Sequence, residues 1–456
     1  MLIYLLLLSI LLICGISYVL SKRDVLAPPV VFSGVFIISI LAAIPNMILW
    51  NFYMGEKTFI VVFGGIVSFC IGYFFVYFFK SNIEKCDIST LETNIIHINK
   101  YKIILVLLLQ VITVYLLYKS ILGIAMNMGS DGTLSNSIYL YRINQIMNDS
   151  EEGQIPYLVQ NLVFFCKIIT YFFMYKFCEE YFIKKIINKE YIIIIIIGTS
   201  MNLLKGNRGE VADLLISFGI MAYIFWLIKN KWKKVLTFKQ ILYMCIFLIL
   251  FLILFSSVGL MILGRDGQLG DIDIVTSTWK QISIYIGAPL KLLDLYMYTD
   301  FESEKYPLGI MTFKSVYSFI GRYLDIANWQ LPILIGYEFR ADNGQELGNV
   351  YTIFKPYLMD FGYIGIIICP IIMGGIYASL YYSIKHSKKV YNKYFKIIMY
   401  SYLYAYLVRA FFAENFYKAL FSVDFIKFMI FLYIIRCFLE IKDKRYIRGK
   451  YEKVKS

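Results

Sequence analysis

Five arginines set the chemistry this sequence can attempt. Arg208, Arg265, Arg322, Arg340 and Arg409 each stand in or beside a polar stretch that borders an apolar run. A guanidinium stays charged and presents a planar fork of N–H donors that matches phosphate oxygens. Several together suit a diphosphate, whose charge grows as it departs from carbon. One alone, Arg322 above all, reads equally well as a side chain snorkelling to a membrane surface. Arg208 and Arg409 stand at the ends of apolar runs, where charge is disfavoured.

Proton transfer needs a second kind of group. The chain has only two histidines, His97 and His386, and neither lies among the arginine-bearing stretches. The bases on hand there are the carboxylates Asp266, Glu338, Asp342 and Glu346. Asp360, just before the next apolar run, suits a helix cap instead. A metal would have to be held by carboxylates alone. Asp271 and Asp273 stand one residue apart, but no calcium-binding loop follows them, so no metal is expected. Eight cysteines are present, none within 264–355 and none in a CxxC pair. That argues against a disulfide framework and against a thiolate zinc site.

A membrane bundle must position these groups. Of 456 residues, 59% are hydrophobic and 17% charged; a soluble domain has about half and a quarter. The apolar runs are long enough to cross the hydrocarbon core, which takes about 20 residues. They do not alternate as the strands of a barrel would. Eleven spans are predicted, at 1–20, 28–50, 58–79, 103–122, 157–178, 191–204, 211–228, 241–263, 361–382, 394–412 and 420–438. The first has no Lys or Arg before it and Lys22 and Arg23 after it, the reverse of a cleaved signal peptide.

Segments on the Lys22 side hold 28 Lys and Arg, against 16 on the other side, half of those in the single stretch 264–355. The positive-inside rule then puts the N-terminus outside and the C-terminus in the cytoplasm. The net charge of +14 follows from this asymmetry, so nucleic acid is not an expected partner. The expected fold is an all-α polytopic membrane protein, one integral domain over 1–456, with outer loops at 123–156 and 264–355.

Within 264–355, the segments 279–298 and 308–324 are amphipathic. They read as short helices on the outer interface or as packing helices of a small cap. The run at 191–204 has 14 residues, about 21 Å against a core of about 30 Å. Either its helix begins earlier or the turn at 205–210 dips below the headgroups, where irregular backbone needs a cavity or protein beside it. Arg208, Ala212, Leu215 and Gly219 share one helix face. That face suits a lipid tail under an anionic head, or a close helix contact. Lys167, near mid-span, needs a carboxylate or marks an ion path. Asp424 and Lys427 can satisfy each other.

Four motifs occur in order: KGNRGE at 205–210, the stretch 285–294 with Gly287 and Pro289, GNVYT at 348–352, and DFGYIG at 360–365. With this layout the chain resembles the Wzy-type oligosaccharide repeat-unit polymerases, also called O-antigen polymerases. Arg208 and Gly219 match an Arg-x10-Gly pattern described for such proteins. A second copy is expected in the large loop, but Arg340 is followed at that spacing by Tyr351.

The resemblance implies a GT-C-like fold in the bacterial plasma membrane. It also implies transfer of a growing glycan from undecaprenyl diphosphate to a hydroxyl of the next lipid-linked unit, with no cofactor. Arg208, Arg265, Arg340 and Arg409 would hold the diphosphate, one of Glu338, Asp342, Glu346 and Asp266 would be the base, and Asn349 and Tyr351 would bind sugar. The implied partners are the undecaprenyl-diphosphate-linked oligosaccharide, the bilayer, a chain-length regulator and a flippase. An O-antigen ligase shares the donor, but typically relies on an outer-loop histidine that is missing here. A lipid-linked oligosaccharide flippase or another transporter would be favoured by internal repeats with gapped midplane helices, which the sequence does not show.

Overall fold

The computed structural model describes residues 1–81, 98–147, 154–243, 246, 274–298, 308–324, 326, 338, 340–387 and 390–440. Most of the predicted span at 241–263, and Arg265, Asp266, Asp271 and Asp273, lie outside the described residues.

The chain forms helices α1 Leu2–Leu20, α2 Pro28–Ala43, α3 Glu56–Ser81, α4 Lys100–Asn127, α5 Leu134–Met147, α6 Tyr157–Glu179, α7 Lys189–Leu204 and α8 Arg208–Lys229. After them come α9 Ile274–Tyr298, α10 Lys314–Tyr323, strands β1 Arg340–Asp342 and β2 Gln345–Gly348, then α11 Phe354–Lys385, α12 Val390–Val408, α13 Phe416–Leu420 and α14 Val423–Glu440. Local sequence explains several starts. Pro28 and Pro29 open α2, where a missing N–H costs nothing. Asn99 and Asn207 cap α4 and α8 by accepting backbone N–H groups.

Among the described residues, 7 helices are long and apolar enough to cross a membrane: α1, α2, α3, α4, α6, α8 and α11. The protein is an all-α membrane protein to that extent. The predicted spans at 191–204, 394–412 and 420–438 coincide with α7, α12 and α14. These fall short of the same measure because α7 has 16 residues, α12 is made less apolar by its lysines and many tyrosines, and α14 carries Asp424, Lys427, Arg436 and Glu440. The span predicted from 361 begins earlier: α11 starts at Phe354 and breaks at Gly362, whose φ is 60°.

α1 and α4 bury only 22% and 28% of their apolar windows, whereas α8 buries 61%. So α1 and α4 lie at the rim, and α8 lies inside. The tightest seam joins α3 to α11 through glycine. A Cβ on Gly72 would stand 2.0 Å from the Ile371 carbonyl oxygen, and one on Gly374 2.3 Å from that of Phe69. Without a hydrophobic drive between helices in lipid, such backbone contact supplies the packing. Phe32 stacks on Phe69 and Phe36 on Phe354 beside it.

Helix ends group into two faces. On one, Asp24 accepts from the Tyr223 and Tyr381 hydroxyls, Lys176 pairs with Glu440 at 3.2 Å, and Lys102 donates to the Phe438 carbonyl. On the other, Asp294 accepts from Gly55 N and Thr58 Oγ1, at the start of α3. Ends that the charge pattern assigns to one side meet each other in space.

α9 is a packing helix rather than a surface one. Its stretch 286–294 is buried, Ser39 Oγ donates to the Ile286 carbonyl, and Gly287 meets the backbone of Ala42 and Ala43. α10 keeps Phe319 and Tyr323 exposed, and is tied to α13 by Ser315 Oγ donating to the Lys418 carbonyl. Asp360 does not cap its own helix. It lies inside α11 and accepts the N–H groups of Met311 and Thr312, fixing the approach to α10.

Candidate functional site

The first centre forms where α8 begins. The turn after α7 is closed by Gly206, with φ of 64°, which most side chains resist. α7 starts only two residues before the predicted run, so it spans about 24 Å and is still short of the hydrocarbon core. Arg208, the first residue of α8, donates through Nη2 to the Tyr285 hydroxyl at 3.3 Å. Its guanidinium carbon lies 5.8 Å from the Tyr285 ring centroid. Arg409, at the end of α12, reaches the same helix end and pairs with Asp213 at 2.7 Å. A Cβ on Gly209 would stand 3.1 Å from Arg409 Nη1, so glycine there leaves room for the guanidinium.

Lys167, the mid-span lysine, pairs with Glu210 at 3.5 Å. Among the described residues, Arg208, Arg409, Lys167 and Lys205 stand against Glu210 and Asp213 at this helix end, two positive charges in excess. Below Arg208 on the same face, Ala212 is buried, but Gly219 is exposed and a Cβ there would meet nothing within 4 Å. Among the described residues no tight helix contact exists at Gly219, and none of them covers that part of the face.

The second centre is built on the hairpin. Asn343 and Gly344 have φ of 49° and 70°, the pair of positive angles a two-residue hairpin turn demands. Asp342 pairs with Lys291 of α9 at 2.7 Å, and Lys291 also donates to the Asn51 carbonyl. Arg340 pairs with Glu338 at 3.2 Å and lies 6.0 Å from the Tyr351 ring. Tyr351 donates its hydroxyl to the Glu338 carbonyl at 2.9 Å. Lys355 is buried with its Nζ 3.4 Å from the Tyr351 centroid and 4.9 Å from that of Tyr296. Burial pushes the Tyr351 and Tyr296 phenols up to about 12, so both are proton donors at neutral pH.

The two centres share a backbone splint. Thr352 N donates to the Phe412 carbonyl and Ile353 N to that of Ala410. Thr352 has φ of 65°, a strained angle for a β-branched residue. Phe412 in turn stacks on Tyr285 at 6.1 Å. α9 runs along both, with Tyr285 at the first centre and Lys291 and Tyr296 at the second. Eleven positions separate Tyr285 from Tyr296, about 16 Å along a helix.

The predicted residues therefore divide. Arg208 and Arg409 come together; Arg340 joins Glu338 and Tyr351 elsewhere. Asp342 is engaged with Lys291, Glu346 is exposed on the hairpin and Asn349 is half-buried. Arg322 is exposed at the last turn of α10, and Asp424 lies 3.8 Å from Lys427. Asp213, Lys291 and Lys355 were not foreseen. Each is a charge at the edge of or inside an apolar run, and that was the signal available. Tyr351, eleven positions after Arg340, lends its ring to that arginine. Comparison with family models, curated proteins and solved structures finds no match to this chain.

Proposed function

We propose that this chain polymerises oligosaccharide repeat units carried on undecaprenyl diphosphate, at the outer face of a bacterial plasma membrane. The observation that carries the reading is that Arg409 reaches the N-terminus of α8 beside Arg208, above a helix face that the described residues leave uncovered at Gly219. A helix N-terminus adds its own attraction for phosphate. The lipid tail runs down the face that passes Gly219. The N-terminus-out orientation comes from the charge asymmetry of the loops.

In the reaction the bond from the glycan's anomeric carbon to the diphosphate oxygen breaks. A hydroxyl oxygen of the incoming unit bonds to that carbon, and its proton goes to a carboxylate. Charge develops on the departing diphosphate, and fixed guanidinium groups stabilise it there more than in the ground state. The described candidates for that carboxylate are Glu338, paired with Arg340 and 55% exposed, Asp342, held by Lys291, and Glu346, exposed on the hairpin.

Deleting the gene and running the surface glycan on a gel tests the reading. A ladder collapsed to single repeat units supports it. Loss of exported lipid-linked units points to a flippase, and free polymer lacking its final acceptor to a ligase. Arg208→Ala at normal protein abundance gives the single-unit pattern; wild-type chain lengths in that variant remove Arg208 from the site.

A further inference from the structure

We propose that residues 354–361, the first turns of α11, form an arm that the buried carboxyl of Glu414 keeps seated while protonated and releases when ionised.

The arm lies between two left-handed positions, Thr352 with φ of 65° and Gly362 with φ of 60°. At Gly362 ψ is −150°, a combination that suits glycine, and the helix breaks there. Three sets of contacts seat the arm: the Thr352 and Ile353 N–H groups on the 410–412 segment, Phe354 stacked on Phe36, and Asp360 accepting from Met311 and Thr312. A fourth is incomplete. Tyr357 and Glu414 are both 0% exposed, yet the Tyr357 hydroxyl and Glu414 Oε2 have no hydrogen-bond partner. Glu414 is the ionisable group that acts most strongly on the Tyr357 phenol. Its Oε1 accepts the Tyr417 N–H at 2.7 Å.

The neighbours have little to offer a charged carboxylate. Tyr377 and Tyr417 spend their hydroxyls on the Leu403 and Cys369 carbonyls, and Asp360 is an acid itself. Lys418 and the backbone N–H groups of 416–418 favour the ionised form, but burial outweighs them and lifts the carboxyl to about 7. Ionised Glu414 is then a charge in a dry site with one oxygen unsatisfied, a cost that water would remove. Tyr357 rides on the arm, so displacing the arm admits that water. Seated, the carboxyl titrates near 7, and in water near its ordinary 4.5. The seated state binds more protons between those values, so release grows as pH rises through the window and levels off above it. The arm carries Lys355, and the splint beside it leads to the helix end of Arg409, so release disturbs both centres.

The test is hydrogen–deuterium exchange of the full chain in lipid nanodiscs at pH 5.5 and 8, with labelling times scaled for intrinsic exchange. Peptides covering 352–361 open about tenfold or more readily at pH 8, while those from α6 do not change. Glu414→Gln keeps the arm protected at both pH values. Tyr357→Ala admits water to the carboxyl, so the arm is open at both and the difference disappears. Melting curves report folding, and the Tyr357 variant carries the test if Glu414→Gln does not fold.

Equal scaled exchange of the arm at the two pH values overturns the proposal. So does a wild-type pH difference in either variant, or arm and α6 opening together, which is unfolding of the whole bundle. The measurement needs no substrate, so its outcome is independent of the polymerase reading.

Discussion

At the scale of single residues, the pairing of a buried charge fixes what its loss costs. Lys291 has a side chain only 4% exposed and is paired with Asp342. Removing one partner of a buried pair costs about 3–5 kcal/mol, since the other charge stays buried alone. Asp342→Asn therefore lowers the melting temperature in detergent, and adding Lys291→Met recovers much of the loss. Glu414 is another buried group. Burial pushes its carboxyl up to about 7, against the opposing pull of Lys418 and of backbone N–H groups from 416–418. Between the ordinary value near 4.5 and about 7 the folded state thus binds more protons than the unfolded one. Stability falls as pH rises through that window and is flat above it. Melting curves from pH 4.5 to 8 check this, and Glu414→Gln abolishes the slope.

At the scale of elements, glycine sets which helices can touch. Gly72 faces the Ile371 carbonyl and Gly287 faces the backbone of Ala43. Neither neighbour is a flexible side-chain tip, so the helices themselves must separate to admit a side chain. Gly72→Val and Gly287→Val each cost about 1–3 kcal/mol or more, read as lowered melting temperature and reduced monodisperse yield. Gly219→Val, on the open face, leaves melting unchanged and shortens glycan chains if a lipid tail lies there. Asp24 is the corresponding fastener on the opposite face. It sits in the α1–α2 connection and accepts from Leu26 N, Tyr223 and Tyr381, which ties α2, α8 and α11 together.

At the scale of the whole molecule, the helix ends sort into two faces, and the orientation proposed from the charge asymmetry puts the Asn343 face outside. Single cysteines in a background without the eight native ones test this. A cysteine at Asn343 is labelled by an impermeant maleimide in intact cells, and one at Lys229 only after permeabilisation; the reverse pattern would invert the topology. Both proposed centres sit on the Asn343 side, joined by the 352–353 and 410–412 splint and by α9. A variant that weakens the splint should therefore disturb both together. Thr352→Gly relieves the positive φ but loses the Oγ1 contact to Phe354 N, so its effect on stability is small.

The sequence alone determined the membrane class and, among the described residues, where most of the apolar helices lie and how their ends group. These depend on solvent transfer and loop charge, which are sums over neighbours in the chain. It also identified Arg208, Arg340 and Arg409 as charges needing partners, because a cation near hydrocarbon is costly wherever it lies. Only the tertiary structure decided who those partners are. Asp213 meets Arg409 across 196 positions and Lys291 meets Asp342 through the docking of α9, contacts that no local spacing encodes. The Asn343–Gly344 hairpin was not foreseen in a chain read as all-α, although Asn-Gly is a turn signal, and its docking has no local signature. One imagined cluster of arginines became two centres because side-chain convergence depends on how helices pack, and glycine contacts fixed that packing.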